Sequence, residues 1–183
     1  KINIMKILKF ILTLLISVSI TSCSSDESTP PFELTSSNFA GSYDINSITY
    51  KEVETITSSS GNSSIVLTTI NGVADSFDDI SFVINANGTF TASGKYRNVI
   101  TEKPNTGSTI TDNEIIVFNS SGTYQLNTID NTITFNQQSG DFIDGVFSIK
   151  SFKETGATIE QEIIETDGNS TLTFNGSIGL VRK

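Results

Sequence analysis

The 183-residue chain contains no histidine and a single cysteine. Without histidine there is no Ser-His-Asp triad, no imidazole general base and no Cys/His zinc site. One cysteine cannot close an intrachain disulfide. Tryptophan is absent as well, and only three prolines occur, Pro30, Pro31 and Pro104. Basic residues are scarce: eleven Lys and Arg face twenty Asp and Glu, a net charge of −9. That balance repels phosphate backbones, and no basic stripe relieves it, so nucleic-acid binding is excluded. Serine and threonine abound, but with no histidine and no evident lysine partner none is marked as a nucleophile. The chain is therefore expected to be no enzyme and to need no cofactor.

What is present points to a folded β-protein. Hydrophobic residues make up 36% and charged residues 17%, too apolar and too lightly charged for a disordered chain. Twelve phenylalanines supply core. Ser, Thr and Asn fill much of the rest, and their side chains compete with a helical backbone while suiting strands and turns. The length allows one ordinary domain with small appendages.

The first residues read as a leader. From Met5, the expected translation start, the chain runs MKILKFILTLLISVSITSC. Lys6 and Lys9 form a positive n-region, and residues 10–20 are almost purely apolar. This stretch is shorter than the ~20 residues that span a bilayer, so it is a signal peptide rather than a membrane helix. Ile20-Thr21-Ser22-Cys23 resembles the lipobox of bacterial lipoproteins: an aliphatic residue, two small ones, then cysteine. The resemblance implies lipid on the Cys23 sulfur, cleavage just before it, and acylation of the new amine. Several acyl chains, each contributing about 0.8 kcal/mol per buried CH₂, would anchor the protein through its N-terminus. Without Lys1, Lys6 and Lys9, eight of the eleven basic residues remain against twenty acidic ones, a net of −12. Ser24 follows the cysteine where an inner-membrane retention signal would have Asp. Ser24-Ser25-Asp26-Glu27 is similar to the acidic export tag of Bacteroidetes surface lipoproteins. An outer-membrane location follows, facing either the periplasm or the cell surface. Residues 1–22 are thus read as signal peptide and 23–37 as lipidated cysteine and tether, with Pro30-Pro31 stiffening it. Residues 38–183 form the domain.

Within that domain short strands alternate with turn signals. Ile80, Phe82 and Ile84 lead into Asn85-Ala86-Asn87-Gly88. The return strand puts Phe90, Ala92, Gly94 and Tyr96 on one face, as a hairpin requires. Residues 115–118 run into Asn119-Ser120-Ser121-Gly122, read as a turn, and Tyr124 and Leu126 alternate beyond it. Asp130-Asn131 turns the chain into Ile133 and Phe135. Residues 157–166 reach Asp167-Gly168-Asn169-Ser170, after which Leu172, Phe174, Gly176, Ile178 and Leu180 share a face. Earlier strands cover 41–56 and 64–70. The first changes phase, with Tyr43 and Ile45 on one parity and Ile48 and Tyr50 on the other, which predicts a bulge. Sequential hairpins imply neighbouring antiparallel strands, about eight to ten of them. Closure removes exposed edges, so an up-and-down β-barrel is favoured over a β-sandwich.

The domain resembles the lipocalin-like lipoproteins of Bacteroidetes. The resemblance rests on Phe39-Ala40-Gly41-Ser42-Tyr43 opening the first strand and on the hairpin 80–90 with Asn87-Gly88-Thr89-Phe90. It also uses Val117-Phe118 with Gly122-Thr123-Tyr124, and the later stretch 147–163. In lipocalins proper a Gly-x-Trp opens the first strand and a basic residue near the last strand packs across the Trp. Here Tyr43 takes the Trp place and Arg182 is the candidate partner. The resemblance implies an eight-stranded barrel, open at one end, that binds a small apolar or amphipathic molecule.

The candidate ligand residues are the inward aromatics Phe82, Phe90, Tyr96, Tyr124, Phe135 and Phe174, with Phe147 on the same face. They line a pocket if the barrel is hollow and form core if it is filled, and an eight-stranded barrel can be either. Asp75, Asp78 and Asp79 read as a solvated turn, because the regular acid spacing, central Gly and distal Glu of a calcium loop are missing. Glu160 and Glu162 share one strand face, read as wet, and adjacent carboxylates make no active site for glycosidic hydrolysis without a cleft and raised pKa values. Glu165 lies in the same run. No metal site is expected. The functional expectation is a monomeric, membrane-anchored module that binds or carries a small hydrophobic molecule. The alternative is an interaction module of the cell envelope with a packed barrel.

Overall fold

A computed structural model describes residues 32–183, apart from Asn62. The leader, Cys23 and the tether up to Pro31 lie outside the described residues. Phe32–Lys183 forms a compact unit of its own.

Glycine and asparagine turns between alternating strands produce a single meander. One helical turn, α1 (Ser36–Phe39), precedes β1 (Gly41–Thr57), β2 (Ser64–Ile84), β3 (Thr89–Pro104), β4 (Ile110–Asn127), β5 (Thr132–Ser139), β6 (Gly145–Lys153), β7 (Gly156–Asp167) and β8 (Ser170–Arg182). Each strand pairs antiparallel with the next, and β8 pairs back onto β1 to close the barrel. The up-and-down barrel is therefore the fold, with eight strands. Closure explains why inward residues of the ring run so apolar: where all eight strands pair, their inner face is shut off from water.

One end of the barrel is filled. Tyr43, Phe82, Ile84, Phe90, Ile133, Phe135 and Ile159 are at most 1% exposed. Phe135 sits centrally, its ring 5.1 Å from Phe90 and 5.7 Å from Phe147, both edge-on, and 6.0 Å from Phe82. Each ring buried this fully contributes roughly 1.5–3 kcal/mol. Tyr124 joins them and satisfies its hydroxyl by donating to the Asn85 carbonyl at 2.8 Å.

The chain entering this end is pinned by the chain leaving it. Thr35 caps α1, its hydroxyl accepting from the Asn38 amide. Phe39 packs on Tyr43 and Phe152, and Phe32 on Phe152. The Arg182 guanidinium lies 4.9 Å over the Tyr43 ring. It donates to the carbonyls of Ala40 (2.9 Å), Glu154 (3.0 Å) and Asn38, and to the Tyr43 hydroxyl (2.8 Å). Tyr43 in turn donates to the Phe39 carbonyl at 2.6 Å. The expected pairing of Arg182 with Tyr43 thus forms. Gly41 leaves the guanidinium its place, since a Cβ there would push it aside.

The other end is uneven. β2 has 21 residues, whereas β5 has 8 and β6 has 9. At about 3.3 Å per residue, the long strands run well past the short pair. Beyond the closed ring, residues 110–120 of β4 pair only with β3, and residues 161–167 of β7 pair only with β8. The wall is therefore notched between β4 and β7, above β5 and β6.

Two local expectations are corrected. Asn119-Ser120-Ser121-Gly122 is no turn but the middle of β4. Ser120 is buried there, its hydroxyl donating to Gln137 Oε1 at 2.6 Å, so a polar residue is tolerated inside the strand. Asp75–Asp79 is likewise no turn, because β2 continues through it. Two register shifts take up the extra residues, with Ser76 and Asp79 at φ of 51° and 52°. The segments 64–70 and 80–84 consequently belong to one strand.

Candidate ligand-binding site

Where the packed core ends, the barrel interior stays open. The bulge expected in β1 is present: register slips between Ile45 and Ser47, which turns Ile48 and Tyr50 inward after Tyr43 and Ile45. Tyr50 stands between Gly72 on β2 and Gly176 on β8. A Cβ on Gly72 would overlap the Tyr50 ring, so the ring lies over bare backbone. Phe174 stacks on Tyr50 with centroids 6.0 Å apart. Across the interior Tyr96 packs on Phe77 and Phe118.

The notch is partly filled from below by the loop between β5 and β6. Its Phe142 stacks on Phe118 at 4.0 Å, and its Ile143 is buried. Gln137 shapes this loop. Its Oε1 accepts from the amides of Phe142 (2.8 Å) and Ile143 (3.0 Å) as well as from Ser120, while its Nε2 donates to the Gly140 carbonyl (2.6 Å). One side chain thus replaces the backbone partners that the loop lacks.

Between these groups lies a cavity of about 240 Å³, lined by Ile48, Tyr50, Tyr96, Phe142, Phe147, Gln161, Phe174 and Ile178 among others. The lining is aromatic and aliphatic with few polar groups, the character of a small-molecule site. Burial raises the Tyr96 hydroxyl above its ordinary value, and the neighbouring Tyr50 and Glu114 reinforce the shift. Tyr96 therefore stays neutral at physiological pH, able both to donate and to accept. At the cavity's upper edge Asn98, 5% exposed, donates through Nδ2 to the Tyr50 hydroxyl (3.1 Å) and to Glu114 Oε1 (3.4 Å).

The sequence-expected ligand residues divide between the two ends. Phe82, Phe90, Tyr124 and Phe135 belong to the packed end and touch no open space, whereas Tyr96 and Phe174 line the cavity. Phe147 reaches both. Sequence reading did not pick out Phe142, Gln161 or Tyr50 as lining residues. The phase change at Ile48 and Tyr50 was the one available signal for Tyr50. Phe142 carried none, since its loop lies outside any alternating strand.

The acidic residues of β2 and β7 have other partners and places. Arg97 grips Asp75 with two hydrogen bonds of 2.7 Å, and Lys95 meets Asp78 at 2.8 Å. These partners hold both carboxyls below the usual carboxylate range, chiefly through the hydrogen bonds. Among the described residues no three acids converge as a metal site would require. Glu160 and Glu162 line a polar depression of about 540 Å³ with Lys51, Asn71, Lys150 and Asn175. By register these side chains occupy the outer face, opposite to Tyr50 and Gly176. Glu165 falls on the inner parity, three residues from Glu162 along the strand. No protein family, curated protein or solved structure matches the chain.

Proposed function

We propose that the domain is a binding module that holds a small hydrophobic molecule in the cavity bounded by Tyr50, Tyr96, Phe142 and Phe174. The observation that carries this reading is the division of the barrel: one end filled with rings at van der Waals contact, the other keeping an open space of about 240 Å³ between apolar side chains. A packed structural barrel would leave no such space between its rings. The notch between β4 and β7 supplies a lateral entrance, so a ligand need not unfold the barrel to enter. Among the described residues none near the cavity is arranged as nucleophile and base, which favours binding over catalysis.

In this reading the lipid on Cys23 keeps the monomeric domain at the outer membrane, facing the periplasm or the cell surface. The relationship to Bacteroidetes lipocalin-like lipoproteins is part of the same proposal, supported by the Gly41, Tyr43 and Arg182 constellation. The competing reading, an interaction module, is favoured by one feature. The unpaired edge of β4 carries Ile115 and Val117, 63% and 72% exposed, and such an edge can accept a further strand.

The test uses residues 32–183 and an environment-sensitive apolar fluorophore. Uptake with micromolar affinity, roughly −8 kcal/mol, is expected. It should weaken when Tyr96 or Phe174 becomes Ala. Absence of uptake would transfer the reading to the β4 edge. Separately, Cys23→Ser in the full chain should abolish membrane retention and fatty-acid labelling.

A further inference from the structure

We infer that the molecule taken up is an amphipathic cation, with its apolar part in the cavity and its positive charge among carboxylates above it. This rests on the proposed function and adds the ligand's chemical class. Where the long strands rise past the cavity, their inner positions follow from the register: Tyr50, Glu52 and Glu54 on β1, and Tyr96, Asn98, Ile100 and Glu102 on β3. On β4 they are Phe118, Ile116, Glu114 and Asp112, and on β7 Gln161, Ile163 and Glu165. Glu52, Glu54, Glu102, Asp112, Glu114 and Glu165 therefore share one concave face with the cavity at its base.

No Lys or Arg takes an inner position in these segments among the described residues. Lys51, Arg97 and Lys103, from the same strands, all take outer positions. An acidic composition alone would not sort the two signs by face. Negative charges gathered in a concave surface deepen its negative potential and draw in cations. A metal ion would need ligands converging on one point, which these separated side chains do not provide.

A second observation lies at the boundary between rings and acids. Asn98 is 95% buried, and both its hydrogen bonds use Nδ2. Its Oδ1 accepts nothing among the described residues, yet no sealed-off polar atom lacks a partner. The oxygen therefore keeps some open surface, and the register puts Asn98 at an inner position one step above Tyr96, where an ammonium N–H can reach it.

Three probes of one shape separate the ideas: 4-phenylbutylamine, 4-phenylbutanol and 4-phenylbutanoate, each titrated calorimetrically into residues 32–183. The amine should bind about tenfold or more tightly than the alcohol, with the carboxylate weakest. Raising the ionic strength should shrink the amine's advantage and leave the alcohol unchanged. Glu52→Gln with Glu114→Gln should reduce binding of the amine alone. Equal affinities for amine and alcohol, or an advantage indifferent to salt, would overturn the inference while leaving the cavity's function intact. Failure of all three to bind would overturn the inference together with the function on which it rests.

Discussion

Replacing Phe135 by Ala should cost far more stability than replacing Phe174, and only the second should alter ligand uptake. Phe135 is fully buried, with Phe82, Phe90, Tyr124 and Phe147 around it at centroid distances of 5.1 to 6.4 Å. Truncating such a ring costs about 3–5 kcal/mol, the transfer of its atoms plus the void they leave. The void cannot collapse easily here. Tyr124 is held by its bond to Asn85, and the other rings sit on paired strands. The upper part of that range, about 4–5 kcal/mol, is therefore expected. At ~2–4 °C per kcal/mol for a domain of this size, Tm should fall by on the order of 10 °C or more. Phe174 is only half-buried and has the cavity on one side, so Phe174→Ala should cost no more than about 1–2 kcal/mol. Urea unfolding followed by far-ultraviolet circular dichroism reads both variants, since the protein lacks tryptophan. Probe titration on the same samples gives the affinities. A loss below about 1 kcal/mol for Phe135→Ala, with a changed probe affinity, would refute the division of the barrel into filled and open ends.

Arg182→Met should destabilise by about 2–4 kcal/mol, because four hydrogen-bonded contacts and the Tyr43 stacking are lost. Arg182→Lys should recover only part of this, since an ammonium cannot reach the same carbonyls in a planar fork; both are read by chemical unfolding. Gly72→Ala should displace the Tyr50 ring and weaken probe binding several-fold with the barrel's circular dichroism preserved. Tyr43, Tyr96 and Tyr124 are all shifted upward, first by burial, so they keep their protons in the folded state after the unfolded chain has released them. Their contribution to stability is complete below pH ~10 and is lost as pH rises toward their folded values. An ultraviolet alkaline titration should show ionisation delayed until unfolding begins.

The barrel was legible where a signal was local. Asn85–Gly88, Asp130-Asn131 and Asp167–Ser170 turn the chain because of their own conformational preferences, and strict alternation told inside from outside on β3 and β8. The bulge in β1 could be read from the change of parity alone. Errors arose where the deciding partner is distant in sequence. Ser120 resembles a turn residue until Gln137, seventeen residues on, takes its hydroxyl. Asp75 and Asp78 resemble a solvated turn until Arg97 and Lys95 on the next strand neutralise them. The candidate site followed the same rule. Inward parity identifies the aromatics, but where filling stops depends on the unequal lengths of β5 and β6 and on a loop residue, Phe142. Neither feature leaves a periodic trace.

The central claim is tested most directly by locating a bound molecule within the barrel. Intermolecular nuclear Overhauser effects between an unlabelled apolar ligand and the ¹³C-labelled aromatic rings of residues 32–183 should connect the ligand to Tyr50, Tyr96, Phe142 and Phe174, and leave Phe82, Phe90 and Phe135 silent. Contacts to those three core rings, or to none of the cavity rings at saturating ligand, would contradict it.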